Sequence, residues 1–138
     1  MVRAEGTINS QKYIDILNTH LVPFMEELDG KIVEYEFQQD NAPVHTSKLT
    51  KTFFDDLNIN LMKWPGQSPD LNPIEHLWDE LERQIRKRSP PPVSERELAV
   101  ILQEEWKKFS DAVFQKLILS MNNRVKAVQQ AKGYATKY

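Results

Sequence analysis

The sequence predicts an α/β layer covered at its C-terminal side by helices. Helix-like and strand-like stretches alternate over the first half of the 138 residues, and only helix-like stretches follow. Two short runs, residues 32–37 and 59–63, are rich in the β-branched and aromatic residues that favour strands. Apolar residues recur at three- and four-residue steps nearly everywhere else. Two strands make a small core for so much helix. The pattern therefore reads as an α/β domain without its front strands.

Residues 2–8 read as the tail of a strand, with Gly6 as a turn or bulge. Asn9 or Ser10 suits a helix N-cap. Tyr13, Leu17, Leu21, Phe24 and Leu28 then form one apolar stripe. Pro23 within that stripe should bend or shorten the helix, and Asp29-Gly30 reads as its end. The run Ile32-Val33-Glu34-Tyr35-Glu36-Phe37 follows as a strand that stops at Asn41-Ala42-Pro43, because proline cannot continue a ladder. Thr46 or Ser47 caps the next helix, with Leu49, Phe53, Phe54 and Leu57 inward.

Residues 64–73 form a proline-rich loop. Asn72 caps a helix whose first residue is Pro73 and whose inward face is Ile74, Leu77, Trp78, Leu81 and Ile85. Arg86-Lys87-Arg88 suits its C-terminus. Ser89-Pro90-Pro91-Pro92 is a stiff connector. Ser94-Glu95-Arg96-Glu97 forms a capping box ahead of Leu98, Ile101, Leu102, Trp106 and Phe109. One last helix is expected over 111–131, with Val113, Leu117, Met121, Val125 and Val128 apolar and Gly133 ending it.

Composition narrows the function classes. The net charge of -2 gives no bulk signal for DNA, so nucleic-acid binding would come from local patches. The chain has no cysteine, which excludes a disulfide framework or a Cys-rich zinc site. There is no internal repeat, no apolar run of membrane-spanning length and no apolar core of a signal peptide near the start. An intracellular protein that does not enter a membrane is expected.

The chemistry-bearing residues cluster between Gln38 and Glu75. Asp40 ends a strand-like run, where α/β folds often place ligand groups. It also fits an Asx turn with Asn41, and on spacing alone the turn reading leads. Glu75 stands in the first turn of the Asn72-capped helix. There the helix dipole favours a carboxylate, whether it completes a cap or holds a metal. The two acids have 34 residues between them, a plausible half of a metal-dependent phosphoryl-transfer site.

His45 fits a phosphate or water contact, or an ordinary loop position. His20 and His76 read as ordinary residues, and no histidine pair has the close spacing of a zinc site. Asp70 reads as a turn former, and Asp79 lies one turn beyond Glu75. Arg83, Arg86, Lys87 and Arg88 suit a solvated helix end, and also a phosphate-backbone contact or an import patch. Trp64 and Trp78 read as core.

Gln39-Asp40-Asn41-Ala42-Pro43-Val44-His45 resembles the block around the second catalytic aspartate of the Tc/mariner DDE transposases. Trp64-Pro65 with Ser68-Pro69-Asp70-Leu71-Asn72-Pro73-Ile74-Glu75 is similar to the block ending in the third acid, in the branch that has glutamate there. Ser120-Met121-Asn122-Asn123-Arg124 and Gly133-Tyr134-Ala135-Thr136-Lys137-Tyr138 are similar to that branch's tail. The resemblance covers nearly the whole chain.

It implies an RNase H-like fold, with the core over about residues 1–88 and a helical segment over about 93–138. It implies three acids holding two Mg2+ or Mn2+ ions roughly 3.5–4 Å apart, which serve first end cleavage by water and then strand transfer by a 3′-hydroxyl. Asp40 and Glu75 would be catalytic metal ligands, with Asn41 and His45 supporting them. DNA would be the partner, a homodimer the open assembly, and the nucleus the location.

The 39 residues ahead of Asp40 carry no motif matching the family's first aspartate, and no helix-turn-helix region is present. The resemblance thus implies a catalytic domain truncated at its front and inactive alone. The rival expectation is a non-enzymatic, domesticated module that binds DNA or a partner protein.

Overall fold

A computed structural model describes every residue except Met1, Glu5, Asp29, Ile32 and Val33. The described chain falls into two compact units. One is Ala4–Gln67, and the other is Ser68–Tyr138 together with the stretch ending at Arg3.

In the first unit, α1 (Ser10–Leu28) starts at Asn9, whose Oδ1 accepts the Lys12 amide at 2.9 Å. Ile14 and Leu17 are its buried residues. Phe24 was expected on the inner face but is 55% exposed. Pro23 does not shorten the helix, although a mid-helix proline costs about 3 kcal/mol. Leu21 and Met25 pack against the core on either side of it and hold those turns together. The expected helix end at Asp29 lies outside the described residues.

Neither expected strand forms a ladder among the described residues. Their trace is one parallel bridge between Phe37 and Leu61. Phe37 donates its amide to Asn60 O at 2.7 Å, and Met62 donates to Phe37 O at 3.0 Å. Glu34, Tyr35 and Glu36 are exposed and unladdered, while Ile32 and Val33 lie outside the described residues. β-Propensity selects residues that fit a sheet, but a ladder needs a partner strand along its whole length. The same reason removes the strand tail expected over residues 2–8, of which Glu5 is not described. Gly6 there has φ +60, in keeping with a turn.

A short helix α2 (Pro43–Thr46) precedes α3 (Lys48–Asp56). Ser47, not Thr46, caps α3 by accepting the Thr50 amide at 3.2 Å. Thr46 instead spends its hydroxyl on Ala42 O. Phe54 is buried, but Leu49 and Leu57 face solvent. Leu17, Phe54 and Ile59 form the core, flanked by Tyr13, Phe37 and Leu61. A few buried side chains thus join α1, α3 and the bridge segment.

The second unit begins with a 3-10 turn, Pro69–Leu71. Asn72 Oδ1 then accepts the Ile74 amide at 3.3 Å, and α4 (Ile74–Arg86) follows directly after Pro73. Leu77 and Leu81 are buried on α4. Trp78 is 39% exposed rather than core, and stacks at 5.6 Å on Trp106 of α5 (Glu95–Trp106). Ser94 caps α5 through the Glu97 amide, while the Glu97 carboxylate reaches the Val93 amide at 2.9 Å. The capping box therefore closes one residue further out than its usual form.

The single helix expected over 111–131 is two helices, α6 (Asp111–Leu119) and α7 (Met121–Gln130). Ser120 stands between them. Its hydroxyl donates to Leu117 O at 2.6 Å and accepts from Arg124 Nε at 2.9 Å. A serine bonding back to the preceding turn competes with the helix ladder and breaks it here. Val125, expected inward, is exposed. Gly133, at φ +83, follows α7 and donates its amide to Val128 O at 3.0 Å, which ends the helix as expected.

Candidate functional site

Asp40 leaves the bridge segment and enters the turn ahead of α2. Its Oδ1 accepts the Ala42 amide at 3.0 Å, so the turn reading of the sequence is realised. The same oxygen lies 2.6 Å from His45 Nδ1. An ionised carboxylate can only accept, so the imidazole carries its proton on Nδ1. The Ala42 amide holds the Asp40 carboxyl below the usual carboxylate range; burial opposes that effect in part, and the weaker His45 bond and charge add to the lowering. The Asp40 side chain is nonetheless 63% exposed. It is a charged carboxylate, fixed in orientation and open to solvent.

The residues around it come from separate stretches of the first unit. Asn41 Nδ2 donates to Trp64 O at 2.9 Å, which ties the Asp40 turn to the loop after the bridge. Trp64 is half-buried there. Tyr13 comes from α1, with its ring centroid 4.3 Å from that of His45. Its hydroxyl donates to Gln39 Oε1 at 2.8 Å. Gln39 Nε2 in turn donates to His45 O at 3.4 Å. Burial pushes the Tyr13 phenol up to about 12, and the nearby Asp40 charge pushes the same way. Asp40 and His45 are thus in direct contact, while Asn41 turns its side chain to Trp64 O. The place of Tyr13 was not foreseen, because it counted only as one apolar position on a helix stripe.

Glu75 stands in the second unit, in the first turn of α4, and is half-buried. Its amide bonds to Asn72 O at 3.3 Å. Asp70, expected as a turn former, sits in the 3-10 turn and accepts the Thr136 amide on Oδ2 at 3.2 Å. Behind this turn lies Arg124, which is 1% exposed. Its Nη1 donates to Asp70 O at 2.7 Å and its Nη2 to His76 Nδ1 at 3.2 Å. An arginine only donates, so the His76 proton sits on Nε2. The Arg124 guanidinium also lies 4.9 Å from the Tyr138 ring centroid. Its burial pulls its pKa below the usual guanidinium value. Sequence reading missed this hub. The signal was an arginine set among Leu117, Met121 and Val128 at helical steps.

The basic end of α4 is largely engaged within the unit. Arg83 pairs with Glu80 at 2.6 Å and Arg86 with Glu82 at 2.5 Å. Arg88 reaches Glu104 at 3.0 Å and the buried Glu105 at 2.5 Å. Lys87 is exposed and has no ion pair among the described residues. Asp79 is exposed one turn after Glu75. Among the described residues no group of three or more histidine, aspartate or glutamate side chains gathers as a metal cluster. No helix among them is long and apolar enough to cross a membrane.

Comparison with known proteins gives this arrangement a setting. The signature of the DDE superfamily endonucleases matches residues 1–97. The Tcb1 transposase of the transposable element from Caenorhabditis briggsae is 42% identical over 136 residues, which are 99% of this chain and 48% of that protein. The chain therefore spans about half the length of the relatives it matches. The Mos1 transposase catalytic domain, solved with raltegravir and magnesium, superposes with a TM-score of 0.82. It is 21% identical, with 99% of this chain and 69% of that chain covered. The Mos1 mariner paired-end complex with manganese gives 0.84 at 20% identity, covering 99% and 40% respectively. The fold is that of the Mos1 catalytic domain.

Proposed function

We propose that this chain, which belongs to the DDE superfamily endonuclease family, supplies the second and third acidic ligands of a metal-dependent DNA transposase. It corresponds to the catalytic-domain region of Tc1/mariner transposases. In this reading Asp40 and Glu75 are the ligands, and Asn41 and His45 support the first of them. The observation that carries it is the Asp40 carboxylate, held charged by the Ala42 amide and His45 yet 63% exposed. A buried or inward-paired aspartate would serve the turn alone.

The donors fit the ions in kind. Carboxylate oxygens suit hard divalent cations such as Mg2+ and Mn2+. When bound, such ions stabilise the attacking and leaving oxygens of a phosphoryl transfer. The chain's own contribution is to fix the Asp40 carboxylate through Oδ1, to tie its turn to Trp64 through Asn41, and to begin α4 so that Glu75 stands in its first turn. Two acids are fewer than the three such a site takes, so this reading expects no cleavage from these 138 residues by themselves.

Transposon ends and target DNA are the partners in this reading, with the exposed end of α4 at Lys87 as the contact least committed to internal pairing. Two copies acting together in the nucleus fit the same reading.

The test joins this chain to the front half of the Tcb1 transposase and assays nicking of terminal-repeat DNA with Mn2+. Cleavage by the chimera, lost in Asp40→Asn and in Glu75→Gln, is expected. The chain alone should not cut. Robust nicking by the chain alone that depended on both acids would overturn the inactivity. A folded chimera that binds DNA but never cuts would favour the non-enzymatic module.

A further inference from the structure

We propose that Tyr13 is a positioning residue for Asp40, holding the His45 ring so that its Nδ1 stays on Oδ1 while Oδ2 remains outside that bonding. The proposal rests on the reading of Asp40 as a metal ligand. Four contacts close a ring through two stretches of chain. Tyr13 lies against the His45 imidazole at 4.3 Å, tilted by 38°. The Tyr13 hydroxyl bonds Gln39, Gln39 bonds the His45 carbonyl, and the His45 ring bonds Asp40. Asp40 follows Gln39 directly in the chain.

A histidine on a short helix in a loop can turn about its side-chain bonds. Here one face is blocked by an aromatic ring closer than the usual 4.5–7 Å range of ring pairs. The rotation that would lift Nδ1 from Asp40 must first displace Tyr13. Tyr13 in turn is anchored on α1 against Leu17, Phe54 and Ile59, the buried core of the unit. The core thereby sets the direction of an exposed carboxylate without touching it. Groups that orient metal ligands in this indirect way are commonly worth 10–100-fold in metal affinity.

A tyrosine that merely fills the core would not need its hydroxyl placed on Gln39, nor its ring on a histidine that is itself only partly buried. That difference is what the experiment reads. The full 138-residue chain is prepared as wild type, Asp40→Asn, Tyr13→Phe and Tyr13→Leu. Each is titrated with Mn2+, following paramagnetic broadening of the His45 ring signals, and the ring tautomer is read from the imidazole nitrogen shifts without metal. In wild type the proton should sit on Nδ1, and the broadening should vanish in Asp40→Asn.

Tyr13→Leu should weaken Mn2+ binding about tenfold and lower the Nδ1-protonated fraction. Tyr13→Phe keeps the stack and loses the Gln39 bond, so it should fall in between, about threefold weaker, with the tautomer retained. A general loss of stability would lower the melting temperature without shifting the tautomer. If Tyr13→Leu does not fold, the Tyr13→Phe comparison decides. Folded Tyr13 variants that bind Mn2+ as wild type does would overturn the positioning role and leave the ligand reading standing. Broadening that survives in Asp40→Asn would remove the ligand reading, and this proposal with it.

Discussion

Arg124 Nη1 donates to the backbone oxygen of Asp70 at 2.7 Å, joining residues 54 positions apart. The same side chain bonds His76 and Ser120 and lies over Tyr138. One buried cation thus gathers the turn before α4, the first residues of α4, the α6–α7 break and the chain's last residue. The Thr136 amide on Asp70 Oδ2 adds a second tie from the tail to the same turn. The turn that leads into α4 is thus tied both to Arg124 and to the tail.

Arg124→Met should therefore destabilise the second unit by about 3 kcal/mol, because it leaves the part-buried Asp70 carbonyl and His76 Nδ1 without this donor. Arg124→Lys should not restore it, since one ammonium cannot span the three acceptors that the planar guanidinium reaches. Urea unfolding followed by the fluorescence of Trp78 and Trp106 measures the loss. An unchanged midpoint in either variant would refute the hub.

Tyr13 makes a prediction at alkaline pH. Its folded pKa of about 12 lies above the usual tyrosine value of 10.0. The neutral phenol is favoured by folding, so this contribution to stability is whole below pH 10 and is lost as pH rises towards 12. A tyrosinate absorbance titration should contain a component near 12 that Tyr13→Phe removes. A titration curve that the substitution leaves unaltered at its alkaline end would contradict the buried hydroxyl.

The α4 terminus offers a test of the proposed DNA contact. Arg88 bonds the buried Glu105 and also Glu104. Arg88→Ala should lower the melting temperature, because among the described residues it leaves Glu105 paired with Lys108 alone. Lys87→Ala should leave the melting temperature unchanged and reduce the salt dependence of DNA binding by about one counterion. Equal melting losses in both variants would show that the two residues are not divided in this way.

Helix positions were legible because each rests on a local signal. Asn9, Ser47, Asn72 and Ser94 all act as helix-start residues, and Gly133 ends α7. The motif around Asp40 was legible because it is contiguous. Most of the failures are non-local. Strand propensity at 32–37 and 59–63 could not reveal that, among the described residues, only Phe37 and Leu61 would meet. The stripe over 111–131 gave no sign that Ser120 would turn its hydroxyl back and break the helix. Phe24 and Leu49 were placed inward by periodicity, yet which face is covered depends on partners that periodicity does not contain. Tyr13 and Arg124 were visible as residues but not as hubs, since their meaning lies in contacts 26 or more positions away.

Asp40 gives the last prediction, at the acid side. Its folded pKa lies below the usual carboxylate value, chiefly through the Ala42 amide and then through His45. A depressed carboxyl pKa means that the stabilisation is present above the unfolded pKa. It is lost as pH falls through the lower, folded one. Wild type should therefore lose melting temperature on acidification through that window more steeply than Asp40→Asn, whose amide does not titrate. Asparagine can still accept the Ala42 amide, so the turn itself should survive and the two proteins should fold alike. The added steepness should also shrink in His45→Ala, which removes one cause of the depression and leaves the larger one. Parallel acid profiles for wild type and Asp40→Asn would mean that the carboxylate is not held by these donors, and the fixed orientation on which the proposed ligand role rests would be lost with them.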